Sequence, residues 1–195
     1  MNRKKWVQIA PTLLILVLLM LAGDRDGVLL LTLAAAGVHE CGHLLAARLL
    51  RIRFRGMRLD FLGARLDIAG QMLSFGEEWL LAAAGPIISL LAALLGALFW
   101  SASPAAQIFS CASLVLGLVN LLPIRSFDGG RMLECSLSAV LGPHHTRIVM
   151  RGTSLVFLFL LWLLAVYFLL RAGDGLSLFC FSLGLFLRFF DGEEI

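Results

Sequence analysis

The sequence predicts an all-α polytopic membrane protein of about six transmembrane helices, with a small β-hairpin or sheet at the membrane edge between the second and third. Three observations carry this. The 195 residues are 60% hydrophobic, with a mean hydropathy of +0.94, too apolar for a soluble domain of that size. Apolar runs near the ~20 residues that span a bilayer recur along the chain. Between two of these runs lies a stretch in which arginine and aspartate alternate with apolar residues. Residues 1–195 therefore read as a single integral-membrane domain, with no segment left for a sizeable soluble module.

The first run, residues 6–22, follows the basic Asn2-Arg3-Lys4-Lys5. A signal peptide has the same layout, but no A-x-A-like site follows and the run is long enough for a span. Residues 23–27 form a polar turn, and the second span covers residues 28–50. In residues 51–74, Arg58-Leu59-Asp60-Phe61 and Arg65-Leu66-Asp67-Ile68 alternate with period two, which argues short strands. Gly63 and Gly70 suit turns or bulges there, and a solvated basic loop is the competing reading. The third span, residues 79–100, is preceded by Glu77-Glu78, suited to a helix N-terminus. Its Ala82-Ala83-Ala84-Gly85-Pro86 favours close helix approach and a proline kink. The fourth span covers residues 105–122. Pro123 and Gly129-Gly130 are expected to unwind the chain before a helix resumes over residues 131–141. Residues 142–145, with His144 and His145, read as a connector, and the last spans as residues 153–170 and 176–190.

Six spans place both termini on one side. Fourteen of the Lys and Arg residues fall on that side, against only Arg25 and Arg171 on the other, so the positive-inside rule predicts cytosolic termini. The basic residues flank spans rather than stacking aromatics, which argues against nucleic acid as a partner. Cys41, Cys111, Cys135 and Cys180 are scattered without C-x-x-C spacing and read as small buried apolar residues rather than a disulfide framework.

Chemistry concentrates in His39-Glu40-Cys41-Gly42-His43, an H-E-x-x-H inside the second span. On a helix, residues four apart share a face, so His39 and His43 can aim two imidazoles at one metal ion, with Glu40 placed to take a proton from a water molecule there. Ionisable groups in a hydrocarbon-facing segment are costly and need a reason. A catalytic zinc takes three protein ligands and leaves one position open. Asp128 is the best third candidate, since irregular backbone at membrane depth is tolerated where it lines a cavity. As a lone residue it would read as a helix N-cap. Asn120 suits a hydrogen bond to substrate or to a developing oxyanion, and equally an interhelical hydrogen bond. Glu134 is an unassigned carboxylate.

H-E-x-G-H in one span and N-x-x-P-x-x-x-x-D-G-G, from Asn120 to Gly130, in a later one resemble the site-2 protease family of intramembrane zinc metalloproteases. The resemblance takes in both motifs, the strand region and Ala84-Gly85-Pro86. It implies that His39, His43 and Asp128 bind one Zn2+, that Glu40 is the general base, and that Asn120 helps bind substrate. The strand region would receive an unwound, membrane-anchored protein substrate as an added strand. Ser89 stands where family members often carry asparagine, which puts any substrate contact there in doubt. With no room for a PDZ insertion or a C-terminal CBS pair, the chain is most similar to the compact bacterial branch that processes a sporulation sigma-factor precursor. That branch implies the cytoplasmic membrane, regulated intramembrane proteolysis of sigma-factor or anti-sigma-factor type, and regulatory membrane proteins as further partners. The alternative is a metal transporter or a non-catalytic metal-binding membrane protein. A transporter would spread ionisable residues over several spans, and a silent binder would be expected to lose Glu40.

Overall fold

The computed structural model of the chain describes residues 7–9, 24, 27–52, 54–60, 63–68, 73–172 and 176–190. They belong to two compact units, Met1–Val119 and Asn120–Ile195. The first contains β1 (Val7–Ile9), α1 (Val28–Leu49), β2 (Phe54–Asp60), β3 (Gly63–Ile68), α2 (Phe75–Leu98) and all but the last residue of α3 (Pro104–Asn120).

The strands form one sheet in the order β1-β2-β3. β2 and β3 are antiparallel, from Phe54 opposite Ile68 to Asp60 opposite Gly63, with a register shift between Phe54 and Gly56. β1 pairs parallel to β2, Val7 with Met57 and Ile9 with Leu59. Residues 7–9 were expected to open the first span and are strand instead. Val-Gln-Ile alternates, and the edge of β2 satisfies its backbone, an outcome that hydropathy does not register. The rest of that expected span, residues 6 and 10–22, lies outside the described residues.

Helix α1 starts at Gly27, whose φ of 69° turns the chain into the helix. Asp24 caps it from outside: its Oδ2 accepts from the amides of Leu29 at 3.0 Å and Leu30 at 3.2 Å, two of the amides that a helix start leaves without partners. The helix ends in a Schellman motif. The Arg51 amide donates to the Arg48 carbonyl and the Ile52 amide to the Ala47 carbonyl, with Arg51 left-handed at φ 55°. Ile52 then packs with Ala47 and Leu81, the apolar contact that accompanies this motif. In α2 a capping box sets the start. Ser74 Oγ accepts from the Glu77 amide at 3.3 Å, and a Glu77 carboxylate oxygen accepts from the Ser74 amide at 2.9 Å. The helix thus begins at Phe75, four residues ahead of the apolar run, and continues through Pro86 to Leu98. α3 begins with Pro104 at its first position, where a missing N–H costs nothing.

The burial pattern of these helices is inverted relative to a water-soluble protein. α1 buries Ala35, His39, Gly42, His43 and Ala47, α2 mainly alanine, glycine and Ser89, and α3 Ser110, Ser113 and Gly117. Leu30, Leu45, Leu91, Leu94, Leu98 and Leu118 are exposed. Small residues inside and leucines outside are what packing in lipid favours. Among the described residues, Val28–Leu49, Phe75–Leu98 and Asp128–Arg171 are long and apolar enough to cross a membrane, while the apolar helices Pro104–Asn120 and Leu178–Leu187 are shorter.

The second unit holds α4 (Asp128–Ala172) and α5 (Leu176–Phe190). α4 is broken at Gly142, with φ 74° and ψ 164°. The expected four-residue connector shrinks to this one residue, because Pro143 can occupy the first position of the following helical stretch. His144 and His145 are helical and exposed. The helix also begins at Asp128 rather than residue 131, so Gly129 and Gly130 lie in its first turn and do not unwind it. Their role is steric. A Cβ on Gly129 would meet the Leu121 carbonyl, and one on Gly130 would meet the Ile124 carbonyl and stand 2.7 Å from the Arg125 nitrogen. The loop over this turn is tied down by Ser154 Oγ, which accepts from the Arg125 amide at 3.1 Å. The Arg125 guanidinium pairs with Glu134, with Nη2 at 3.3 Å. α5 packs on α4, with the Arg151 guanidinium 6.0 Å from the Phe189 ring centre, and Phe181 stacks at 6.4 Å on Phe127 of the loop that leads into α4.

A left-handed arginine is strained where glycine is not. Replacing it, Arg51→Gly, is expected to raise the thermal midpoint of the detergent-solubilised chain, a gain of up to about 1 kcal/mol, and Arg51→Val to lower it. A midpoint unchanged in both variants would contradict this account of the α1 terminus.

Candidate metal centre

His39 and His43 sit one turn apart on the buried stripe of α1, 4% and 9% exposed. That stripe lies directly against α2. A Cβ on Gly42 would stand 2.7 Å from the Ala84 carbonyl oxygen and 3.1 Å from the Gly85 Cα, so the two backbones meet with no side chain between them. Gly85 faces the imidazoles. A Cβ there would lie 2.8 Å from His39 Nε2 and 2.6 Å from His43 Cε1, and would press on His43 Nε2. The glycine leaves space at the one point where both ring nitrogens converge.

The outer nitrogen of each ring is held by α2. His43 Nδ1 is 2.8 Å from the Leu81 carbonyl oxygen. A carbonyl only accepts, so this nitrogen carries the proton and Nε2 presents its lone pair. His39 Nδ1 is 2.9 Å from Ser89 Oγ. Leu81, Gly85 and Ser89 are spaced four apart and form one stripe of α2. Between these two anchors the rings stand edge to face at 79°, with the Nε2 atoms 3.2 Å apart. Two nitrogens each ~2.0–2.1 Å from a tetrahedral zinc would be about 3.3 Å apart. The donor type, the spacing and the side-chain-free surface at Gly85 all fit a zinc-sized cation.

The other residues singled out in the sequence are placed as follows. Glu40 is half-buried and follows His39 on α1, while Cys41 is exposed. Cys111 and Cys180 are exposed as well, which corrects the expectation that the cysteines are buried; only Cys135 is, and none of the four is in a disulfide. In a bilayer, an exposed cysteine side chain faces lipid, which suits it as well as a core does. Asn120 is the last residue of α3 and half-buried, and Asp128 opens α4 at 9% exposure. Glu134 is the partner of Arg125. His144 and His145 are exposed, their ring centres 5.6 Å apart. Sequence reasoning missed the anchoring of the histidines by Leu81 and Ser89. The available signal was a serine one turn beyond Gly85 in an otherwise apolar run.

Leucines facing outward, small residues within, and a buried histidine pair with metal-ligand spacing define an integral membrane protein built around a candidate metal site. Comparison with known proteins is consistent with that class. The profile of Peptidase family M50 matches residues 96–164, a stretch that includes Asn120 and Asp128 but not His39, Glu40 or His43. The structure is similar to the site-2 protease from Methanocaldococcus jannaschii, with a TM-score of 0.68 and 20% sequence identity, covering 100% of this chain and 94% of that one. No curated protein sequence matches the chain. The chain therefore has the fold of a site-2 protease, and residues 96–164 are similar to Peptidase family M50.

If the space at Gly85 serves a metal ion, Gly85→Ala is expected to abolish stoichiometric zinc in the purified chain while leaving its helical circular dichroism unchanged. Full zinc content in that variant would place the metal elsewhere.

Proposed function

We propose that the chain is a zinc metalloendopeptidase that hydrolyses peptide bonds of membrane-anchored proteins within or beside the bilayer. The observation that carries this reading is the convergence of the His39 and His43 Nε2 atoms, 3.2 Å apart, on the buried face of an apolar helix, with Glu40 next to them in the chain. The ligand set we assign is His39, His43 and Asp128, each offering one ligand atom. Two imidazole nitrogens and a carboxylate oxygen are a donor set that catalytic zinc accepts while keeping one position open. Zinc bound there supplies Lewis acidity, polarising a carbonyl and lowering the pKa of water. Glu40 is the general base: its carboxylate takes a proton from the attacking water and returns it to the leaving amine nitrogen. Asn120 hydrogen-bonds the substrate backbone. A substrate helix must unwind first, because its carbonyls are otherwise engaged in helical hydrogen bonds, and the sheet of β1, β2 and β3 offers an edge to an extended segment.

The setting we assign is a single six-span domain in a bacterial cytoplasmic membrane, with both termini cytosolic. The excess of basic residues assigned to the side of the termini supports that orientation. The substrate class is membrane-anchored or membrane-associated proteins, sigma-factor precursors or anti-sigma factors among them. Membrane proteins are also the proposed regulators, as in the compact sporulation branch. The test is co-expression with a panel of epitope-tagged single-span proteins. Wild type is expected to release a fragment that Glu40→Gln does not, with activity reduced ~10²–10⁴-fold and zinc retained. His43→Ala is expected to lose zinc, and Asp128→Asn to bind it more weakly. Cleavage that persists in Glu40→Gln would refute the mechanism, and undiminished zinc in Asp128→Asn would refute the third ligand.

A further inference from the structure

We propose that Ser89 is a positioning residue that fixes the ring orientation and tautomer of His39 for metal binding, an inference that rests on the metallopeptidase reading above. The two histidines are anchored differently. His43 Nδ1 faces a main-chain carbonyl at 2.8 Å, which permits a single tautomer. His39 Nδ1 faces a hydroxyl at 2.9 Å, which can accept or donate. To present a lone pair at Nε2, His39 must carry its proton on Nδ1, and Ser89 Oγ is the acceptor in place to hold it there. Without that acceptor, His39 Nε2 can keep the proton and donate it to His43 Nε2 at 3.2 Å. That arrangement pairs the two Nε2 atoms with each other and removes the lone pair a metal needs.

The serine is itself held in place. It is fully buried, and α3 crosses it at Gly117, where a Cβ would lie 3.2 Å from the Ser89 Cβ. The chain of contacts thus runs from α3 through Ser89 to the imidazole. Outer partners of this kind orient ligands and raise their basicity, and losing one weakens metal affinity ~10–100-fold.

The experiment measures zinc affinity of the full-length chain in detergent by competition with a chromophoric chelator, together with the visible spectrum of the cobalt-loaded chain. Ser89→Ala is expected to bind zinc ~10–100-fold more weakly and to alter the cobalt bands. Ser89→Thr, which keeps the hydroxyl, is expected to restore most of the affinity. The control is Ser113→Ala, a buried serine of α3 whose hydroxyl has no hydrogen-bond partner among the described residues, expected to bind as wild type does. Zinc affinity of Ser89→Ala within twofold of wild type overturns the role of Ser89 and leaves the metal site standing. An equal loss in Ser113→Ala assigns the effect to packing and also overturns it. A wild-type chain that takes up no zinc overturns the metal-site reading itself, and this inference with it.

Discussion

The close crossing of α1 and α2 is the constraint on which the site depends. Gly42 brings one backbone against the other at Ala84, and Gly85 removes the side chain that would stand between two imidazole nitrogens. Any larger residue at either glycine separates the helices. That separation would break the hydrogen bond from His43 to the Leu81 carbonyl and the pairing of His39 with Ser89, since both reach across the same interface. The histidine geometry is therefore a property of two helices, and α1 alone does not possess it.

This crossing is not driven by the force that assembles soluble cores. With leucines lining the outer faces and alanine, glycine and serine within, association in lipid gains little from burying apolar area and relies on van der Waals contact between closely approaching backbones. Polar groups inside such a bundle are stabilised by finding partners there. Ser110 does so by donating to the Ala93 carbonyl at 2.6 Å, His43 through a carbonyl and His39 through a hydroxyl. The histidine anchoring is thus one instance of a wider solution, in which small residues bring a neighbouring helix near enough to satisfy a polar side chain.

Much of the helical layout was legible in the sequence, because apolar runs of bilayer length and breaks at glycine and proline report directly on it. The H-E-x-x-H spacing put two imidazoles on one face, and Ala84-Gly85-Pro86 signalled a close approach. Helix ends were less legible. The start of α2 at Phe75 was written as Ser74 and Glu77, a capping signal outranked by the hydropathy of the later residues. The end of α1 at Leu49 falls within one residue of the expected boundary, although arginine, not glycine, holds the left-handed position at 51. The strand at Val7–Ile9 depends on pairing with β2, some fifty residues away in the chain, and local periodicity carries no such information. The glycines after Asp128 suggested unwinding, yet they serve a loop folded onto the helix start. Ser89 looked like a departure from a family pattern. Its proximity to His39 emerged only once the facing helix was in place.

The carbonyl that anchors His43 has an evolutionary consequence. It belongs to the backbone of residue 81, so every amino acid at that position supplies the same acceptor, and drift there leaves the His43 anchor chemically unchanged. The anchor of His39 is a side chain, and each substitution at position 89 changes its acceptor strength, its reach, or both. One arm of the pair is thereby fixed by the covalent chain and the other left open to selection. A lineage needing a tighter or looser hold on the His39 ring would find that adjustment at a single codon, without touching either histidine.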